Sequence, residues 1–288
     1  MADFYRGFHF VGWLLLIACS WAVDTPTPTS PQTVEVDLIF PRNETYAPSS
    51  LMPMVFAIQN FRAAKLLLLE FEYTLQQDPE VPPGLVNGIR NIKYGNYTGS
   101  STHFEYDWTT RLNNTEGTWL FSWSWRALNC SQHTDADPEY PGPQKPFHLE
   151  SDVKGHAVWF TTKHGAKQPD LVTATRDGAC AESQADTMNI TEILDIPWSD
   201  SYWGSQTACP LLSTVTPTPN PCGAKVDSSA ASSISYAIQS SACLSAVTPT
   251  VACPPGVETG NSAHHAVQFS VSGVGLFTAT LGWLIYLV

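Results

Sequence analysis

The sequence predicts an all-β fold: an antiparallel β-sandwich, immunoglobulin-like or jelly-roll in type. A small disulfide-stapled, Ser/Thr/Pro-rich C-terminal segment with one short helix is expected to follow it. Three observations carry this prediction. Apolar and polar residues alternate with period two in many short runs between Thr33 and Asp200, and successive strand side chains point to opposite sheet faces. Eight or more such runs are separated by Pro, Gly and Asn, the spacing of a sandwich. Cys130, Cys180, Cys209, Cys222, Cys243 and Cys253 form an even set, which in an oxidising compartment reads as three disulfides.

The densest alternation lies in Thr102 to Cys130, THFEYDWTTRLNNTEGTWLFSWSWRALNC. Phe104, Tyr106 and Trp108 alternate with Glu105 and Asp107. After a polar segment, Leu112 to Gly117, the rings Trp119, Phe121, Trp123 and Trp125 alternate with Leu120, Ser122, Ser124 and Arg126. Two such runs around an Asn-Asn-Thr-Glu-Gly turn predict a hairpin with one almost wholly aromatic face. Each ring buries roughly 150–250 Å², so the face far exceeds the ~300–600 Å² patch that monomers expose. It is expected to fill the sandwich core, leaving one or two rings near strand ends for stacking on a sugar.

Both ends read as addresses. Asp3 and Arg6 precede an apolar run, Phe8 to Ala18, and Ser20 and Ala22 supply small residues at a cleavage site. Residues 1–22 are therefore expected to be a secretory signal peptide that carries Cys19 away. Residues 23–32, with DTPTPTSPQ, form a Pro/Thr spacer. Residues 261–288 end in an uncharged apolar tail, preceded by Gly260, Asn261, Ser262 and Ala263. This is the pattern of a glycosylphosphatidylinositol signal with attachment at Asn261 or Gly260. The alternative is a retained C-terminal membrane helix.

Taken in order, Val34, Val36, Leu38 and Phe40 mark a first strand that Pro41 ends. Met54, Phe56 and Ile58 mark a second, opening after Pro53. Leu66 to Leu75 is predicted as a strand with Leu67, Leu69, Phe71, Tyr73 and Leu75 on one face and Glu70 and Glu72 on the other, although its composition also suits a helix. Ile89 to Tyr97 is a weaker strand. A Pro-rich acidic loop, Thr134 to Pro146, precedes Val153 to Thr162, where Val158 and Phe160 oppose Ala157 and Trp159. Pro169 leads into Leu171 to Thr175, and Met188 to Ile196 is the expected last strand. The sandwich is thus placed at 33–200 and the Cys-containing segment at 201–260. Within the latter, Ala230, Ile234, Ala237 and Ile238 have helical spacing behind Asp227, a candidate N-cap. So short a helix is marginal alone, and disulfides are expected to hold it. A Cys130–Cys180 bridge is expected within the sandwich, with the other four cysteines paired among themselves.

The stretches TVEVDLIFPRNETYAP…MPMVFAIQN, GHAVWFTTKHGAKQPDLVTAT and PNPCGAKVDSSAASSISYAIQSSAC resemble secreted fungal proteins grouped as DUF7136, a domain of unknown function. The resemblance covers roughly Thr33 to Cys253. It implies a fungal extracellular or cell-surface protein, often membrane-anchored, and it brings no catalytic residues with it.

Sequons at Asn43, Asn96, Asn113, Asn129 and Asn189 predict N-glycosylation. The formal charge of −12 with no basic cluster argues against nucleic acid as a partner. Glu70/Glu72 and Glu105/Asp107 place two carboxylates on one strand face, a possible glycosidase pair, but alternation with core residues is what any solvent-facing strand shows. No Gly-x-Ser-x-Gly or His-Glu-x-x-His occurs, and His148, His156 and His164 read as loop and strand surface. No cofactor or metal is expected. The expected function is that of a non-enzymatic cell-surface or cell-wall glycoprotein with a structural or interaction role, partnered by the membrane through its anchor. A carbohydrate-binding module for wall polysaccharide is the alternative, with Trp198, Tyr202 and Trp203 of DIPWSDSYWG as contacts and Trp108 as a further surplus ring. A glycoside hydrolase is the third reading.

Overall fold

The computed structural model describes residues 31–78, 86–92, 101–132, 147–200, 207–245 and 251–257. Among these residues there are ten strands. They are β1 (Gln32–Phe40), β2 (Thr45–Tyr46), β3 (Met52–Gln59), β4 (Glu70–Asp78), β5 (Val86–Asn91), β6 (Thr102–Thr109), β7 (Gly117–Ser131), β8 (His148–Thr162), β9 (Ala185–Asp195) and β10 (Ala208–Leu212). Three helices accompany them: α1 (Phe61–Ala64), α2 (Leu171–Ala174) and α3 (Ser228–Ser245).

The strands form one large mixed sheet with two arms. One arm runs β5-β4-β7-β8-β2 and the other β10-β9-β1-β3-β6. They join where β10 meets β7 through one parallel pair, Leu211 opposite Cys130. The 15-residue β7 makes this possible. One of its edges pairs with β8 along its whole length. Its other edge pairs with β4 from Thr118 to Arg126 and with β10 at Cys130.

The period-two pattern explains which faces meet. Val34, Val36 and Leu38 of β1 and Met54, Phe56 and Ile58 of β3 are buried, as are Phe71, Tyr73 and Leu75 of β4. So are Trp119, Phe121, Trp123 and Trp125 of β7 and Val158 and Phe160 of β8. Across the gap between arms, the Phe56 ring lies 5.1 Å from Phe71 and 5.2 Å from Trp123. The two inner faces thus share one core.

Four expectations are corrected. First, β6 and β7 are no hairpin: β6 pairs with β3, while β7 pairs with β4, β8 and β10. Their rings do not share a face either. Phe104, Tyr106 and Trp108 stand opposite Ala57, Val55 and Pro53, whereas His103, Glu105 and Asp107 stand opposite Ile58, Phe56 and Met54 on the core side. Helix α3 packs against β6, and its Ile234 and Ile238 share a wall with Pro53. That cover lets the outer rings of β6 stay half-buried. Period two says which residues share a face, but not which face turns inward.

Second, the predicted strand at Leu66 begins as helix. Lys65–Leu67 forms a 3-10 turn after α1, Leu68 takes a left-handed φ of 46°, and β4 opens only at Glu70. Third, β9 is not the last strand, because β10 follows it antiparallel. Residues Leu171–Ala174, given no element type from sequence, form helix α2, capped by Asp170, which accepts the N–H groups of Val172 and Thr173 at 3.0 and 3.1 Å.

Fourth, the bridges are Cys130–Cys209, Cys180–Cys222 and Cys243–Cys253. Cys130 cannot serve Cys180, because β10 brings Cys209 alongside it, while Cys180 lies in the turn after α2 that meets Pro221–Gly223. Helix α3 begins where expected, with Asp227 Oδ1 accepting the Ala230 N–H at 2.8 Å and the Cys243–Cys253 bond pinning its far end, but at 18 residues it is not the short helix expected, and it packs on β6 as well. Three disulfides accord with an oxidising, extracellular or secreted setting. No helix among the described residues is long and apolar enough to cross a membrane.

The disulfides should differ in worth. Loop-closure entropy assigns about 4–5 kcal/mol to the Cys130–Cys209 link, with its separation of 79 residues, and about 3 kcal/mol to Cys243–Cys253, with 10. Replacing each pair by Ala should therefore lower the unfolding temperature more for the first than for the second. Equal losses in a thermal melt would contradict this. In the core, Trp123→Ala should cost about 3–5 kcal/mol by denaturant titration.

Candidate functional site

Inward-facing polar groups gather at the two open margins between the arms, and a third group lies outside them. The first margin lies between β8 and β9. A buried indole N–H must find an acceptor, and the three tryptophans of β7 each have one. Trp119 donates to Thr162 Oγ1, Trp123 to Gln184 Oε1 and Trp125 to Asp186 Oδ2, each at 2.8 Å. The Asp186 carboxylate also meets His156 Nε2 at 2.6 Å, and the His156 ring stacks on Trp123 at 4.9 Å. Lys154 completes the group, 3.9 Å from Asp186 and 5.7 Å above the Trp125 ring.

The second margin lies between β5 and β6. Asp107 accepts the Tyr73 hydroxyl at 2.6 Å, its own neighbour's N–H (Trp108) at 2.8 Å, and an ion pair from Arg90. Burial, then the Asp107 charge, hold the Tyr73 hydroxyl well above its ordinary pKa. Burial opposes the charge on Arg90, yet Asp107 keeps its pKa raised. Beside them His103 Nε2 lies 3.2 Å from Glu105 Oε2, both buried, with Phe61 stacked on the imidazole at 4.4 Å.

A third group lies on the outer face of β1. Glu35 accepts the Asn220 N–H with both carboxylate oxygens, at 2.8 and 2.9 Å. Gln59 donates to Asp37 Oδ2 at 2.9 Å and to the Asn220 carbonyl at 3.0 Å. The backbone around Gly223 comes so close that a Cβ there would lie 2.3 Å from Gln59 Oε1. Asp37 is fully buried and its Oδ1 has no partner. Burial, and then Glu35, push its pKa up to about 8.

These positions decide the fate of the residues singled out from sequence. Glu72 is exposed and Glu70 pairs with Arg126 at 3.9 Å on the outer face. Glu105 and Asp107 face inward but are engaged as described. His148 and His164 are exposed, whereas His156 turns inward onto Asp186, against expectation. Its partner lies 30 residues away, so no local motif announces the pair. Asp186, Gln184 and Arg90 likewise belong to no local motif, since their partners are distant in sequence.

Asn43 and Asn113 are exposed. Asn189 is half-buried in β9, and Asn129 is 5 % exposed. Both of these asparagines line one cleft beside the junction of the arms. Trp198 opens a 3-10 turn and is 61 % exposed, while Trp108 is half-buried. Asn96, Tyr202, Trp203, Gly260 and Asn261 lie outside the described residues, as do residues 1–22 and 261–288, the expected leader and tail. Among the described residues no group of three or more His, Cys, Asp or Glu could hold a metal ion.

The architecture defines a disulfide-bonded, mostly β protein, and comparison gives its family. The family model DUF7136, described as a domain of unknown function, matches residues 29–253. The chain belongs to this family. No curated protein and no solved structure matches it.

The buried Asp37 sets a pH dependence. Unfolded, its carboxyl titrates near about 3.9; folded, it titrates at about 8. Between these values the folded chain holds a proton that the unfolded chain has released, so this group makes stability fall as pH rises. The slope should be largely lost in Asp37→Asn. Melting temperatures from pH 4.5 to 8.5 should show the wild type losing several degrees more than the variant; parallel curves would exclude this role.

Proposed function

We propose that the chain is a secreted, N-glycosylated cell-surface protein with a structural or interaction role and no catalysis. Its arms are read as the two layers of an antiparallel β-sandwich. The mature protein would begin near Val23 and be held at the outer membrane face through a glycosylphosphatidylinositol anchor at Asn261 or Gly260. What supports this reading is the pairing of all six cysteines from Cys130 to Cys253, which suits an oxidising compartment. The engagement of the inward acids agrees with it: Asp107, Glu105 and Asp186 each hold a fixed internal partner.

A second reading, recognition of wall polysaccharide, is favoured by Trp198. A large ring that stands 61 % exposed in a turn has no strand face to fill, and aromatic rings with one wet side suit recognition surfaces. Tyr202 and Trp203, four and five positions on in the sequence, would be further candidate contacts.

Two measurements test these readings. Phosphatidylinositol-specific phospholipase should release the protein from cells; a membrane-bound chain retaining Val288 would exclude the anchor. Co-sedimentation with chitin, β-glucan, cellulose and mannan should deplete the protein without releasing sugar. Trp198→Ala should weaken that depletion at least threefold with an unchanged melt. Released sugar would return the two carboxylate pairs, Glu70/Glu72 and Glu105/Asp107, to attention.

A further inference from the structure

Beyond the Leu211–Cys130 pair the arms part, and a cleft of about 670 Å³ opens between β7 and β8 on one side and β9 and the chain after β10 on the other. That volume is in the range of small-ligand sites. Trp198 is not part of its lining.

The hydrogen bonds of the lining are unevenly distributed. Three hydroxyls there already donate to the protein. Ser131 donates to Glu150, Thr187 to the Pro217 carbonyl at 2.5 Å, and Thr191 to the Leu211 carbonyl at 3.2 Å. Each keeps its oxygen as an acceptor. Asn129 is 5 % exposed, lines the cleft, and its Oδ1 has no hydrogen-bond partner. A buried carbonyl oxygen without a donor is uncommon in a folded protein and asks for an explanation. The exposed carboxylates of Glu150 and Asp152 stand on the same wall. The cation there, Lys154, already sits over Trp125 and near Asp186. With two carboxylates against one ammonium that is already engaged, the charged groups of the lining are net negative.

We propose that this cleft binds a ligand carrying a primary ammonium beside hydroxyl groups, the chemistry of a glucosamine unit in an oligosaccharide. An ammonium offers three donors and no acceptor, which complements Glu150 and Asp152. A sugar hydroxyl supplies the donor that Asn129 Oδ1 lacks. Trp125 is 1 % exposed and covered by Lys154, so recognition rests on hydrogen bonds and charge rather than on stacking. The site goes beyond the polysaccharide reading at Trp198 and does not depend on it.

Calorimetric titration of the intact secreted protein tests this. The probes are a glucosamine tetramer, its fully N-acetylated counterpart and spermidine. The tetramer should bind at least tenfold more tightly than the acetylated form, which lacks the ammonium, and than spermidine, which lacks the hydroxyls. Asp152→Asn, an exposed change, should weaken the tetramer two- to fivefold with an unchanged melt. Asn129→Leu should weaken it at least fivefold while raising the unfolding temperature, since an unpaired buried acceptor is removed. A structural role for Asn129 would predict the opposite shift. Equal binding of the acetylated tetramer, or of spermidine, overturns the proposal. Unchanged binding in Asp152→Asn, or an N-glycan found on Asn129, which would fill the cleft, overturns it as well.

Discussion

Three indole N–H groups govern how this protein is put together. Trp119, Trp123 and Trp125 stand on one face of β7, and that face is buried. Their rings drive burial, but each N–H loses water and must be given an acceptor. Thr162 of β8 answers the first, and Gln184 and Asp186, before and within β9, answer the others. Two of the three bonds therefore cross between the arms. Burial alone would let the arms slide over one another; these directional bonds fix their register. Cys130–Cys209 then ties the same two arms covalently at the far end of β7.

That arrangement also explains what the sequence shows and what it conceals. Alternation in β1, β3, β4, β7 and β8 places the core residues on the faces they occupy, because strand geometry is local. Asp227 and the spacing of Ile234 and Ile238 likewise mark α3 from a few neighbouring residues. Pairing between strands is not local. The aromatic rings of β6 look like those of β7, yet they face α3, and the acids between them face the core. Which alternative holds depends on whether a helix more than a hundred residues later covers them. The acceptors of Trp123 and Trp125 lie 61 residues from their donors. Glu35 and Asn220 are 185 apart. No window of sequence contains both members of these pairs. The sequons were legible as motifs, but the contrast between exposed Asn113 and buried Asn129 required the fold.

The acidic composition has a structural side. A formal charge of −12 invites a purely solvated surface, yet several acids turn inward. Asp186, Asp107 and Glu105 each hold an inward-facing partner, and Glu35 directly, with Asp37 through Gln59, holds the chain around Asn220 against β1. Burying carboxylates is costly unless they are hydrogen-bonded or protonated. The molecule uses both solutions: donors converge on Asp107 and Asp186, and Asp37 keeps its proton.

The distance in sequence between Cys130 and Cys209 bears on how the chain is born. At ribosomal speeds of about 5–20 residues per second, Cys130 waits on the order of 4–16 s for its native partner to be synthesised. Cys180 emerges 29 residues ahead of Cys209, and its own partner, Cys222, appears later still. The first long-range oxidation open to the nascent polypeptide is therefore the wrong one, Cys130 with Cys180. A chain oxidised as it is made would therefore reach its native pairs only by thiol–disulfide exchange that reopens such a bond, or with its thiols kept reduced until the last strand and the Cys222 turn have arrived.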